Sequence, residues 1–193
     1  MTGTQPEASW VLCCAACQTR YPGLELRYRC DCGGTLDVEH DLEALRGLDL
    51  RAIFDARRGS RDRLDRSGVW RFRELILPGA SEEVVTRGEG DTWLYEAPSI
   101  AERVGLERLQ LKHEGENPTA SFKDRGMTVA ISLAQKLGLS RVACASTGNT
   151  SASMAGYAAR AGMEALVFVP DGEIAYGKLS QALAYGGRTL QLA

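Results

Sequence analysis

The chain has 193 residues, of which 44% are hydrophobic and 25% are charged. This average globular composition excludes wholesale disorder, and the length predicts one ordinary domain, or one domain with a small module. The formal net charge of −2 argues against a nucleic-acid partner bound through bulk charge. No apolar run approaches the length of about 18 residues that a membrane span needs, and residues 1–10 lack the pattern of a secretory signal. We therefore expect a soluble, cytoplasmic protein without a membrane partner.

Five of the six cysteines lie within the first 32 residues, as Cys13, Cys14-x-x-Cys17 and Cys30-x-Cys32. Clustered pairs are typical of a zinc ribbon, in which four thiolates surround zinc at about 2.3 Å. The spacing predicts a structural zinc site at Cys14, Cys17, Cys30 and Cys32, since four thiolates leave no open position for catalysis. Cys13 is an alternative to Cys14, and the single spacer in Cys30-x-Cys32 is shorter than the usual two. Reduced structural cysteines or a redox pair also stay open.

The stretch after the cysteines is predicted to connect two parts of the chain. Residues 40–50 are acidic and contain leucines, which suits a short helix, and residues 51–73 are rich in arginine with interleaved aspartates. Because acids interrupt the basic residues, a connector whose charges pair with one another is favoured over an anion-binding patch. The predicted parts are a zinc-ribbon-like module (1–40), a helical, arginine-rich connector (41–78) and a third part (79–193).

From Gly79 onward the sequence alternates between strand and helix signals. Strands are predicted at 109–111, 142–145, 165–169 and 189–192, and helices at 127–137, 150–161 and 178–185. This alternation predicts an open α/β domain with a parallel sheet. An open parallel sheet normally has both faces covered and more strands than these, so we interpret the chain as the front portion of a larger protein.

The first stretch with chemical potential is residues 117–126, Asn-Pro-Thr-Ala-Ser-Phe-Lys-Asp-Arg-Gly. The run from Ser121 to Asp124 has the pattern of a helix N-terminal cap, which places Lys123 in the first turn. The positive end of the helix dipole disfavours an ammonium there, and burial would lower the pKa of the amine further. A neutral lysine amine is the nucleophile that Schiff-base chemistry needs. An exposed lysine beside a cap fits the spacing equally well.

The second stretch is Ser146-Thr-Gly-Asn-Thr-Ser151, between a predicted strand and a predicted helix. Ligands of open α/β sheets bind at the carboxyl ends of the strands. Backbone N–H groups and hydroxyls at such a place suit a carboxylate or a phosphate, and Asn149 can offer a directed hydrogen bond. An ordinary helix cap explains the same residues.

Taken together, residues 118–127 and 146–151 resemble the lysine and asparagine motifs of pyridoxal-phosphate enzymes of the tryptophan-synthase-β fold group. Within that group they are most similar to the threonine synthases. Gly88-Glu-Gly90 followed by Thr92 resembles the entrance loop of that family, and residues 177–181 resemble a later helix start. Some members also carry an N-terminal cysteine ribbon. The resemblance implies the open, parallel, three-layer sheet of the type II pyridoxal-phosphate enzymes.

The resemblance also implies roles for individual residues. Lys123 would hold pyridoxal phosphate covalently and then act as acid and base, and Asn149 would bond the phenolic oxygen of the cofactor. Candidate contacts to the carboxylate or phosphate of O-phosphohomoserine are Ser146, Thr147, Thr150 and Lys178. Lys178 is the weakest of these, because a solvated lysine in a first turn fits as well. The implied reaction converts O-phosphohomoserine and water to threonine and phosphate, in a homodimer when the protein is full length.

The resemblance places two further parts of the cofactor site beyond Ala193, namely a glycine-rich loop for the cofactor phosphate and a partner for the pyridine nitrogen. We therefore expect the 193-residue chain alone to bind the cofactor poorly and to turn over little. Two alternative functions stay open. One is a related dehydratase or cysteate synthase of the same fold group, and the other is a non-catalytic zinc-ribbon module that recruits a partner.

Overall fold

The computed structural model describes residues 10–80, 83–170 and 176–192. The interpretations of residues 1–9 and of Ala193 concern residues outside these ranges. No helix in the described ranges is long and apolar enough to cross a membrane.

A small antiparallel sheet carries the cysteine-rich module. Its strands are β1 (Trp10–Cys14), β2 (Arg20–Pro22) and β3 (Leu36–His40), in the order β2-β1-β3. Cys13 pairs in register with Arg20 on one side and with Asp37 on the other. Because successive side chains of a strand point to opposite faces, Cys13 and Cys14 cannot both face the remaining cysteines.

The connector contains two short α-helices and two 3-10 turns. The helices are α1 (Leu50–Arg57) and α2 (Arg73–Ile76), and the 3-10 turns span Leu42–Leu45 and Trp70–Phe72. The helix predicted over residues 40–50 is therefore wrong in extent. The Asp49 side chain accepts the Ala52 N–H at 3.0 Å, and this cap starts α1 where the predicted helix ends.

The charges of the connector pair with one another, and one tryptophan joins it to the rest of the molecule. Arg57 meets Glu74 at 2.8 Å and Asp65 at 3.6 Å, with all three side chains largely buried. Trp70 is completely buried, and its Nε1 donates to the Thr128 hydroxyl at 2.7 Å. The connector is therefore packed against the α/β part of the chain.

A two-stranded antiparallel sheet precedes the parallel one. It pairs β4 (Leu94–Glu96) with β5 (Gln110–Lys112), and α3 (Pro98–Val104) lies between them in the chain. The strand predicted at 109–111 is present but does not join the parallel sheet, which is a correction to the sequence interpretation. The sequence analysis missed β4, whose three residues are too few to show an alternating pattern.

The predicted parallel sheet is confirmed, with the order β6-β7-β8. Its strands are β6 (Arg141–Ala145), β7 (Glu164–Pro170) and β8 (Arg188–Leu192), and its helices are α4 (Lys123–Lys136), α5 (Asn149–Ala161) and α6 (Tyr176–Ala184). Val167 and Val169 on one face of β7 are buried in a core with Ile131 and Tyr157 from the helices. A hydrogen bond from the Ser153 hydroxyl to the Asp124 carboxylate joins the first turn of α4 to the opening turns of α5.

Candidate active site

Lys123 is the first residue of α4, at the end of an ordered loop. The cap differs from the predicted one, because Phe122 occupies the cap position and makes no side-chain cap bond. Ser121 Oγ instead accepts the Lys123 N–H at 3.2 Å, and the Asp124 carboxylate reaches back to the Thr119 N–H at 2.7 Å. Hydrogen bonds to Ser121, before Lys123, and to Asp124, after it, thus hold the segment that precedes α4.

The Lys123 amine lies near the surface of the described chain. Its Nζ sits over the ring of Phe122, 4.7 Å from the centroid, and Phe122 itself is exposed. Lys123 is only half-buried, so the burial expected from the sequence is partial. Among the residues that the structure describes, no carboxylate lies within ion-pair distance of this amine. The amine is therefore not committed to a salt bridge.

Asn149 begins α5, directly after the loop that leaves β6. Its Oδ1 is buried and has no hydrogen-bond partner within the described ranges. A buried polar atom left unpaired costs about 1–3 kcal/mol, so such an atom is normally satisfied by protein, by water or by a ligand. Gly148, at the cap position, provides no side chain for the first N–H groups of α5. The uncapped N–H groups suit a bound ligand with anionic oxygens, whereas the unpaired Oδ1 of Asn149 is an acceptor and suits a hydrogen-bond donor.

The predicted substrate-binding hydroxyls are brought together on this loop. Ser146, Thr147 and Thr150 are all half-buried around the start of α5. Ser146 Oγ accepts the Gly148 N–H at 3.2 Å, which holds the loop as a turn at the carboxyl end of β6. This is the edge of a parallel sheet at which ligands bind.

Lys178 lies on α6 and reaches the loop that precedes Lys123. Its Nζ donates to the Thr119 carbonyl at 3.5 Å and to Gln181 Oε1 at 3.3 Å. Gln181 Nε2 donates to the same carbonyl at 3.4 Å. The weakest substrate candidate of the sequence analysis therefore lies beside the Lys123 loop, where its ammonium contacts protein acceptors.

Two fully buried carboxylates, Glu89 and Asp124, received no role in the sequence analysis. Glu89 lies in the entrance loop and accepts hydrogen bonds from the Ser67 hydroxyl at 2.6 Å and the Tyr157 hydroxyl at 2.7 Å. Burial and the Glu89 charge raise the pKa of Tyr157, which keeps its hydroxyl protonated as a donor. The sequence signal for Glu89 was its position between Gly88 and Gly90, because a loop packed so close to the core needs a polar side chain that holds it by hydrogen bonds.

A bidentate ion pair links α4 to the 3-10 turn Glu114–Glu116, which follows β5. Arg125 donates to the two oxygens of Glu114 at 2.8 and 2.7 Å, and the Thr92 hydroxyl donates to Glu114 at 3.0 Å. Hydrogen bonding from Arg125, aided by Thr92 and Asn117, lowers the pKa of Glu114 to about 2. This network fixes the chain two residues beyond Lys123.

The sulfur atoms of Cys14, Cys17, Cys30 and Cys32 lie within 4.8 Å of one another. Cys14 and Cys32 are separated by 3.6 Å, and Cys17 and Cys30 by 3.4 Å. A tetrahedral zinc site with thiolate ligands has sulfur separations of about 3.8 Å. The structure places Cys14 in this cluster, whereas the Cys13 sulfur contacts Gln18 at 3.7 Å.

The local backbone and a neighbouring hydroxyl favour a compact thiolate cluster. Gly33 has a φ of 85°, and a Cβ at Gly34 would lie 2.7 Å from the Cys14 sulfur. Both positions therefore require glycine. Hydrogen bonding from Thr19 lowers the pKa of the Cys17 thiol to about 6, whereas, despite a hydrogen bond with the Gly34 backbone, contacts with the other three cysteines raise the pKa of Cys32 to about 12.

The family model described as pyridoxal-phosphate dependent enzyme matches residues 85–192. The chain belongs to this family. The matched range contains both Lys123 and Asn149, so the two helix starts lie inside the segment that the family model matches.

Curated relatives carry a more specific name. The threonine synthase of Methanocaldococcus jannaschii is 41% identical over 179 residues, and that of Methanosarcina acetivorans is 42% identical over 180 residues. Each match covers 93% of this chain and 42% of the relative. The threonine synthase of Synechocystis is 52% identical over 134 residues, or 65% of this chain and 35% of the relative. The chain thus spans less than half the length of these relatives.

Solved structures are less similar in sequence. A pyridoxal 5'-phosphate-dependent aspartate racemase is 27% identical, with a TM-score of 0.47, over 52% of this chain and 32% of that one.

Proposed function

We propose that the chain is the front portion of a threonine synthase, which converts O-phosphohomoserine and water to threonine and phosphate. The observation that carries the proposal is the pair of helix starts, joined by the Asp124–Ser153 hydrogen bond, with the Lys123 amine on one and the unpaired Oδ1 of Asn149 on the other. The threonine synthases at 41–52% identity support the choice of reaction. The three-layer sheet and a cytoplasmic homodimer belong to the same proposal.

The residues present fit pyridoxal phosphate. Lys123 offers an amine that no neighbouring carboxylate of the described chain engages, and Asn149 offers an unsatisfied amide for the phenolic oxygen. A half-turn of the amide exchanges its oxygen and nitrogen, so that it can meet either an acceptor or a donor. When bound, the cofactor supplies an electron sink that eases removal of the proton beside the amino group.

Lys123 acts in this proposal as both acid and base. Its flexible four-carbon stem lets the amine take a proton from the α carbon of the substrate and return one later. Hydroxyls of the loop after β6, together with the N–H groups that start α5, hold the carboxylate or phosphate of the substrate. The residues assigned to this binding are Ser146, Thr147, Thr150 and Lys178.

We also propose that the four clustered cysteines hold a structural zinc ion. Four thiolates complete a tetrahedron, and no position is left for a substrate. The ion would fix the two knuckles of the N-terminal sheet, in a part of the chain that lies outside the matched family range.

The test of the proposed reaction is phosphate release from O-phosphohomoserine by the complete gene product supplied with pyridoxal phosphate. We expect threonine and phosphate in equal amounts, and loss of both in Lys123→Ala. The matched control is Lys136→Ala, which removes an exposed lysine from the last turn of the same helix and should retain activity.

Other outcomes identify the other functions. Ammonia release from threonine or serine, without phosphate release from O-phosphohomoserine, would replace the proposal with a dehydratase. A protein that performs neither reaction, yet captures a partner through its cysteines and without Lys123, would be a non-catalytic binding module.

A further inference from the structure

Asp124 links the two helices that begin at Lys123 and Asn149. Its carboxylate is completely buried and accepts hydrogen bonds from the Thr119 N–H at 2.7 Å, from the Thr119 hydroxyl at 2.5 Å and from the Ser153 hydroxyl. Asp124 directly follows Lys123 on α4, and Ser153 lies one turn beyond Asn149 on α5. The contact therefore joins the first turn of α4 to the opening turns of α5.

The apolar packing of α5 combines small side chains with two large ones. The buried side chains over residues 151–158 are alanine, serine and glycine, except Met154 and Tyr157, which lie in the core with Ile131 of α4. Small side chains form shallow ridges and grooves, so they resist the sliding of one helix along the other only weakly. A buried carboxylate, in contrast, is costly unless its hydrogen-bond donors are in place. The Asp124–Ser153 bond therefore adds to this packing a polar contact that only one register of the two helices satisfies.

The same carboxylate also fixes the loop ahead of Lys123. Both remaining bonds to Asp124 come from Thr119, whose carbonyl accepts from Lys178 and Gln181 on α6. Three helices are in this way connected around the segment that carries Lys123.

We propose that Asp124 and Ser153 are positioning residues, whose hydrogen bond sets the separation between the Lys123 amine and the Asn149 amide. The bond thereby determines whether both groups fit one bound cofactor. This inference rests on the proposed function, in which Lys123 and Asn149 hold the same pyridoxal phosphate.

The test uses a variant that removes one donor and a matched control. Ser153→Ala leaves Asp124 the two bonds from Thr119, so we expect the fold to survive, and Ser153→Thr keeps the hydroxyl. The control is Ser132→Ala on α4, where the serine is also buried, accepts the Val85 N–H at 2.8 Å and donates to a helix carbonyl. Both alanine variants lose a buried hydroxyl on a helix, but only Ser153→Ala removes the hydrogen bond to Asp124.

The first readout is the position of the cofactor. The chain is incubated with pyridoxal phosphate and reduced with borohydride, and the adduct on Lys123 is divided by the adducts on the other three lysines. We expect Ser153→Ala to lower this ratio about tenfold, because a displacement of 1 Å can cost more than that, and Ser132→Ala to stay within about twofold. Ser153→Thr should restore most of the ratio. Equal ratios for the two alanine variants would overturn the inference and leave the proposed function standing.

The second readout does not depend on the cofactor. Without it, Ser153→Ala should speed amide hydrogen exchange both in residues 119–124 and in residues 149–153, whereas Ser132→Ala should speed it in neither. If neither the unchanged chain nor the complete gene product shows a preference for Lys123 in the first readout, the proposed function loses its support and this second readout alone decides on the link. Faster exchange in α5 only, or in neither segment, would overturn the link.

Discussion

Replacing Glu114 with glutamine removes the carboxylate that Arg125 binds through two nitrogens, at 2.7 and 2.8 Å. Arg125, followed by Thr92 and Asn117, stabilises the ionised form and lowers the pKa of Glu114 to about 2. The pKa of glutamate in an unfolded chain is about 4.3. Because the folded-state pKa is the lower one, the carboxylate stabilises the fold above about pH 4, and this stabilisation is lost as the pH falls toward 2.

The size of the effect follows from the pKa difference. About two pKa units correspond to at most about 3 kcal/mol in the free energy of unfolding. The Glu114 and Arg125 side chains are 29% and 32% exposed, so solvent screening reduces the expected contribution to about 1–2 kcal/mol.

Urea unfolding of the unchanged chain and of Glu114→Gln, between pH 7 and pH 3, measures this contribution. We expect the variant to be less stable by about 1–2 kcal/mol at pH 7, and the difference to shrink as the pH falls below about 4. Other carboxylates titrate in both proteins and cancel from the difference. The control, Glu107→Gln, removes an exposed glutamate and should change little. A difference that stays constant with pH, or no difference at pH 7, would refute the reasoning.

Three further predictions concern the cysteine cluster and the core. Gly34→Ala should reduce bound zinc measured by metal analysis, because its Cβ would lie 2.7 Å from a cluster sulfur, whereas Gly59→Ala has open space and should not. Cys14→Ser should lose zinc and Cys13→Ser should keep it, and the reverse result would show that the wrong cysteine has been assigned. Trp70→Ala should lower the free energy of unfolding by about 3–5 kcal/mol in urea titrations, since Trp70 is completely buried. A loss below about 1 kcal/mol would mean that the connector is not packed as described.

The parallel part of the fold was predictable because its signals are local. Strands β6, β7 and β8 and helices α4, α5 and α6 show as apolar runs and helical periodicities within a few residues of their observed bounds. In contrast, β4 owes its existence to pairing with β5 across an intervening helix, and its three residues carry no pattern. The strand conformation of β4 therefore depends on its pairing with β5, and the sequence of β4 does not indicate that partner.

The candidate site divides in the same way. Lys123 and Asn149 could be found from motifs, because each stands at a helix start that follows a recognisable turn. Glu89 and Asp124 received no role, because each carboxylate accepts, besides bonds from nearby residues, a hydrogen bond from a residue that is distant in the chain. Tyr157 is 68 residues from Glu89, and Ser153 is 29 residues from Asp124.

Trapping of the cofactor tests the central claim most directly. The sequence has only four lysines, Lys112, Lys123, Lys136 and Lys178, so borohydride reduction with pyridoxal phosphate, followed by peptide mass spectrometry, can compare every lysine side chain. The account predicts that the adduct is confined to Lys123, weakly in the 193-residue chain and strongly in the complete gene product. Adducts spread evenly over the four lysines in a folded chain, and in the complete gene product as well, would contradict it.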